Sequence, residues 1–170
     1  MHAVRAIDGA VRVVEQPLPD GEGVAVRVAS SGICGSDLHL LGWSLPAVMG
    51  HELAGTLTDG TPVAVEPVDP CWTCEACARG AYNLCVRGPA MVLGVGRDGG
   101  MAEVCLVPSS SVVPLPKGVA LADACLVEPL AVAVHAVRLG RISDGQRVAV
   151  VGGGSLGQFA LVAAQAAGAE

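Results

Sequence analysis

Four cysteines, Cys71, Cys74, Cys77 and Cys85, fall within the fifteen residues "CWTCEACARGAYNLC", separated by two, two and seven residues. Thiolates at such spacing can close tetrahedrally around one Zn²⁺ with every position filled by protein, the arrangement of a structural site rather than one open to substrate. A four-cysteine iron–sulfur cluster accepts the same ligands. Four reduced cysteines in a core would also fit, but Arg79, Gly80 and Asn83 lie among them and make poor core sequence. Close Cys-x-x-Cys spacing with no secretory leader favours metal ligands over disulfides.

Other potential donors sit singly on separate segments: Cys34 and His39 in "GICGSDLH", His51 and Glu52 in "GHE", and Glu128 in "VEPLAVAVH". A catalytic zinc takes three protein ligands and leaves a position for water or substrate. Cys34, His51 and one glutamate meet that count. No spacing rule identifies ligands so far apart, and on chemistry alone a satisfied core histidine and a small buried cysteine explain them equally well.

A third constellation is "VAVVGGGSLGQFALVAAQAAGAE", where Gly152, Gly154 and Gly157 satisfy G-x-G-x-x-G between an apolar run and an Ala-rich one. The first glycine makes the tight turn, the second lets backbone approach a pyrophosphate, and the third allows close helix–strand packing, with the helix N-terminus facing the anion. Leu156 stands inside the same turn and is counted with the cofactor-binding positions. The side chain that selects NAD or NADP belongs about 20 residues further on, past Glu170.

The elements that must hold these groups follow from pattern. Val11–Glu15, Val24–Ser30, Glu52–Leu57, Pro62–Pro67, Met101–Val107 and Val112–Leu115 are short Val-rich or alternating runs broken by turns such as "PDGEG" and "TDGT", as in a small barrel or sandwich. Irregular sequence runs from Val68 to Gly100. Asp123–Leu139 is expected as a helix with Pro129 near its first turn, Arg147–Val151 as an apolar strand, and Leu156–Ala167 as a helix. A strand feeding a helix through a glycine turn is the first half of a βαβ unit. The fold class expected is therefore mixed β and α/β.

Bulk composition narrows the function classes. The 170 residues are 52% hydrophobic and 15% charged, too apolar for disorder, and with aromatics at 2% the core must be built from Val, Ala and Leu. A net charge of −6 without any basic block gives no broad attraction for nucleic acid, and no nucleic-acid partner is expected. No apolar leader follows Met1, so a cytoplasmic protein is expected. Val148–Ala169 carries no charge, yet its glycines and glutamines argue against a membrane span.

The motifs "GICGSDLH", "GHELAG", the cysteine loop, "GGMAEVCLVP", "VEPLAVAVHA" and "VAVVGGGSLG" occur here in the order found in the zinc-dependent medium-chain alcohol dehydrogenases. The chain resembles most the branch that includes sorbitol, threonine and butanediol dehydrogenases. The resemblance spans essentially the whole chain. It implies a GroES-like β-barrel catalytic domain over residues 1–125, a connecting helix and linker over 126–146, and the start of a Rossmann dinucleotide-binding domain over 147–170, truncated at Glu170.

It further implies a structural zinc on the cysteine quartet and a catalytic zinc on Cys34 and His51, with Glu128 or Glu52 as third ligand, Glu128 following the polyol and threonine branch. Asp37 matches an acid that orients the histidine ligand. The implied reaction is hydride transfer between an alcohol or polyol and NAD or NADP, in which zinc lowers the pKa of the alcohol. Ser36 takes the hydroxyl proton and His39 relays it to solvent. The partners implied are a small alcohol or polyol and, at full length, further copies of the chain. The competing expectation is a zinc-binding GroES-like module without catalysis of its own. Cys105, Cys125 and His135 are read as packing or structural residues, and His2 as surface.

Overall fold

Valine-rich runs separated by tight turns form the strands of the computed structural model, which describes residues 1–43 and 45–170. The chain divides into two compact units, Met1–Cys125 and Leu126–Glu170. In the first, β1 (His2–Ile7) and β2 (Ala10–Glu15) make an antiparallel hairpin. Its two turn residues, Asp8 and Gly9, have φ of 51° and 73°, the left-handed pair whose twist matches a two-residue hairpin.

Five more strands form one antiparallel sheet: β3 (Val24–Ser31), β4 (Leu53–Thr56), β5 (Pro62–Val65), β6 (Val104–Val107) and β7 (Val112–Pro114), in the order β6-β3-β4-β5-β7. The sheet curls into a half-barrel, and β1 bridges at Ala3↔Ala102 and Arg5↔Val48 to the segments that lead into β6 and β4. Inside lie Val26, Leu53, Val63, Val65, Leu93, Cys105 and Val107, an aliphatic core as the scarcity of aromatics requires.

Between β3 and β4 the register slips at Ala29, where Val28 faces Gly55 but Ser30 faces Ala54. A bulge of this kind re-aims the side chains that follow it. Ser30 fixes it from the side: its hydroxyl donates to the Leu121 carbonyl at 2.6 Å and accepts the Cys125 N–H at 3.2 Å.

The second unit holds α3 (Val127–Leu139) and α4 (Ser155–Ala166), packed on each other through Ala133, Val137, Ala163 and Ala164. Residues 124–126 form a 3₁₀ turn before α3, which therefore starts four residues later than the sequence pattern indicates and places Pro129 in the first turn. Arg147–Val151 is not a strand among the described residues, which corrects the expectation drawn from its apolar run. A strand exists only beside a partner, and here the pairing is a single parallel rung. Glu170 donates its N–H to Gln146 at 2.8 Å and its carbonyl accepts the Val148 N–H at 2.9 Å. No helix among the described residues is long and apolar enough to cross a membrane.

Leu93 is fully buried in the barrel core, whereas Val13 is 70% exposed on β2. Leu93→Ala is expected to lower stability by about 2–5 kcal/mol and Val13→Ala to change it by less than about 0.5 kcal/mol, a contrast that urea denaturation of the two variants measures directly.

Candidate metal centres and glycine turn

The ends of β3 and β4 bring the first donor set together. The Gly32 N–H donates to the Glu52 carbonyl at 2.7 Å, adding one more pair to the β3–β4 ladder beyond the bulge. His51 and Glu52 thus stand at the entry to β4, facing the turn that leaves β3. That turn ends in Cys34, the N-cap of the short helix α1 (Gly35–Leu40). Asp37, in the first turn of α1, accepts the Cys34 N–H on Oδ2 at 2.8 Å and so fixes the cap.

The Cys34 thiol, one His51 ring nitrogen and one Glu52 carboxylate oxygen all lie within 4.8 Å of one another. His51 Nδ1 is 3.6 Å from Asp37 Oδ1, within ion-pair range, and this buried nitrogen makes no hydrogen bond. Asp37 and Glu52 are 2% and 7% exposed, and they are the buried charged residues of the described chain. Two carboxylates and a thiol gathered around one imidazole make a donor set that a cation would complete. Sulfur, nitrogen and oxygen donors in that mixture suit zinc.

The second donor set is the cysteine quartet, whose four thiols also lie within 4.8 Å of one another. Cys71 Sγ and Cys74 Sγ are 4.0 Å and 3.5 Å from Cys77 Sγ. A Zn–S bond of about 2.3 Å gives a tetrahedral edge of roughly 3.8 Å. The loop is less irregular than its sequence suggests. The helix α2 (Glu75–Ala78) and two 3₁₀ turns, 82–84 and 88–91, let backbone N–H groups of Cys71, Cys74 and Arg87 reach sulfur.

Those amides polarise the site. Hydrogen bonds from Thr73 and Cys74 pull the Cys71 thiol down to about 5, and N–H groups of Cys77 and Val86 lower that of Cys74. Burial, with the neighbouring Cys74 and Cys85 thiols, pushes Cys77 up to about 12. Such a set ionises completely only when a dication binds it.

The loop is also tied to the barrel without metal. A bridge joins Val68 to Val92, and the Asp69 N–H donates to the Met91 carbonyl at 2.8 Å. The Asp69 carboxylate takes both Arg87 and Arg97, and the Tyr82 hydroxyl donates to Glu66 at 2.7 Å. Sequence spacing does not point to these ties, because each joins residues 16 to 28 positions apart.

The remaining expected residues scatter. Ser36 and His39 lie exposed on α1, and Glu128 lies half-buried in the first turn of α3, within the second unit. Cys105 and Cys125 are buried, while His135 and His2 are exposed, His2 beside Glu103 at 3.4 Å.

In the second unit Gly152 has φ of 114°, and Gly154 caps α4 in extended conformation with open space around it. A Cβ on Gly157 would lie 2.0 Å from the Gly152 carbonyl oxygen, so the turn and helix meet at a distance only glycine permits. Leu156 is 55% exposed beside them.

The family model described as the alcohol dehydrogenase GroES-like domain matches residues 20–117. L-galactonate-5-dehydrogenase of Escherichia coli K12 is 37% identical over 92% of this chain and 49% of its own length. The crystal structure of galactitol-1-phosphate dehydrogenase from Escherichia coli superposes with a TM-score of 0.89 at 34% identity, over 99% of this chain and 54% of that one. A protein provisionally described as a zinc-binding dehydrogenase, from Sinorhizobium meliloti 1021 and bound to NADP, gives 0.87 at 34% identity over 99% and 54%. The chain thus spans about half the length of the relatives it matches.

Two outcomes follow from these geometries. Cys77→Ser should reduce bound metal by one ion per chain and expose residues 71–92 to protease while the far-ultraviolet signal of the sheet persists. Gly157→Ala should strain the 152–157 turn by about 1–3 kcal/mol, seen as faster amide exchange along α4.

Proposed function

The chain belongs to the zinc-dependent medium-chain alcohol dehydrogenase family, and from that premise we propose that it supplies the metal centres and the cofactor turn of an oxidoreductase. The reaction is hydride transfer between an alcohol or polyol and NAD or NADP. The observation that carries this reading is the convergence of Cys34, His51 and Glu52 at the mouth of the β3–β4 pair, with Asp37 buried behind them. Polyol specificity is supported by relatives named for L-galactonate and galactitol-1-phosphate.

In this reading Cys34, His51 and either Glu52 or Glu128 hold a zinc ion. When bound there, zinc supplies Lewis acidity toward an alcohol oxygen. Asp37, 3.6 Å from Nδ1, would favour the imidazole proton there and free Nε2 for the ion. Ser36 accepts the substrate hydroxyl proton, and the exposed His39 passes it to solvent. Gly152 and Gly154 admit a dinucleotide pyrophosphate at the start of α4, Leu156 lines it, and Gly157 brings the helix close enough to present its amides. Cys71, Cys74, Cys77 and Cys85 hold a second zinc that fixes their loop and takes no part in the reaction.

Residues 1–125 then form the catalytic domain, 126–146 the connection, and 147–170 the start of the dinucleotide-binding domain. The same reading makes the full-length protein a cytoplasmic homo-oligomer that acts on a dissolved small molecule, without a nucleic-acid or membrane partner.

Metal analysis tests the central point. Zinc should bind at two per chain in the unaltered protein and at one in Cys34→Ser, with the quartet still filled. Retention of both ions by Cys34→Ser would remove the basis for the assignment.

A further inference from the structure

Gly32 is a residue the reaction does not name. Its φ is not in the left-handed region, so the backbone here tolerates any side chain. What forbids one is space. A Cβ at position 32 would lie 2.0 Å from Glu52 Oε2, 3.0 Å from Glu52 Cβ and 3.1 Å from Glu52 Cδ. All three nearest atoms belong to one side chain, and that side chain carries a donor of the Cys34–His51–Glu52 cluster.

The backbone cannot relieve the conflict by moving apart. The Gly32 N–H is hydrogen-bonded to the Glu52 carbonyl at 2.7 Å, and Ser31 pairs with Leu53 in the ladder beside it. The bulge at Ala29, held by the Ser30 hydroxyl, sets which residue of β3 arrives opposite Glu52. The severe contact is with Oε2, the flexible end of the pair, and is relieved by rotation of the Glu52 carboxylate, while the contact with Glu52 Cβ needs only a shift of a few tenths of an ångström. That rotation takes the carboxylate out of the cluster while leaving the strands paired.

We infer that Gly32 is a positioning residue of the metal centre: the absence of a side chain there is what allows the Glu52 carboxylate to stand beside Cys34 and His51. This inference rests on the reading of that cluster as a metal site. It adds that residue 32 governs whether Glu52 is a donor, without touching a metal or substrate itself.

Cobalt(II) titration of the metal-free chain tests it, because cobalt reports its ligand set in its visible spectrum. Two equivalents should bind, and the one absent from Cys34→Ser is the centre in question. If Cys34→Ser still binds both equivalents, the cluster is not a metal site and the reading beneath the inference fails. Given that site, Gly32→Ala should weaken its cobalt affinity by roughly 10- to 100-fold, the range for altered support around a ligand, and shift its spectrum toward that of Glu52→Ala.

The double variant Gly32→Ala with Glu52→Ala distinguishes mechanism from damage. With the Glu52 carboxylate removed, the alanine at position 32 has no oxygen to displace, so it should add no further loss of affinity and no further change of spectrum. An equal loss from Gly32→Ala in both backgrounds would overturn the inference, as would unchanged cobalt affinity and spectrum in the single variant. Melting of the single variant beside a folded double variant would support it, since removing Glu52 would then have relieved the clash.

Discussion

Two carboxylates, Asp37 and Glu52, are buried beside one imidazole and one thiol, and the architecture of the first unit is organised around keeping them there. Taking an ionised carboxylate out of water costs several kcal/mol unless it is paired. Asp37 is partly satisfied by the Cys34 amide and the His51 ring. Glu52 is carried at the entry to β4, where its backbone pairs with Gly32 and its side chain fills the space a Cβ at position 32 would take. Strand pairing, which derives its stability from apolar residues such as Val26 and Leu53 on the inner face, thereby holds polar groups in an arrangement they would not adopt by themselves.

The two candidate metal centres are built on opposite principles. At Cys34, His51 and Glu52 the donors come from distant segments and the sheet positions them, so the site depends on tertiary structure. At the cysteine quartet the donors are local and short helical turns aim backbone amides at sulfur. Amide hydrogen bonds lower the Cys71 thiol while burial raises Cys77, so the four sulfurs are not equivalent before any ion binds. A site of the first kind can change its chemistry through one neighbouring residue, whereas one of the second kind varies mainly as a unit.

The sequence made some of this readable and hid the rest for definable reasons. Short valine-rich runs between turns announced β2 to β7, by composition and punctuation rather than by a clean alternation: β2 buries no residue fully and β5 buries three in succession. β1 escaped, since its fully buried residues are Ala3 and Ala6, whose spacing breaks the alternation and whose small side chains carry little apolar signal. α1 escaped because six residues are too few to show a helical period. Arg147–Val151 read as a strand on apolar content alone, although pairing and not composition makes a strand. Cys34, His51 and Glu52 were named through motif order. Gly32 could not be singled out, because its importance is a distance to Glu52, twenty positions along the chain.

The clasp at the base of the cysteine loop gives that loop a memory. Its ends are joined by the Val68–Val92 bridge and gathered by Asp69 with Arg87 and Arg97, whether or not the thiols hold anything. Most of the entropy of closing the loop is therefore lost when the barrel folds, not when a metal arrives. Four thiols confined to one small volume meet an incoming ion as a single multidentate ligand rather than four independent ones, a chelate advantage prepared by the strands beneath them. An emptied loop of this kind would refill by local rearrangement, with no need for the chain to find its fold again.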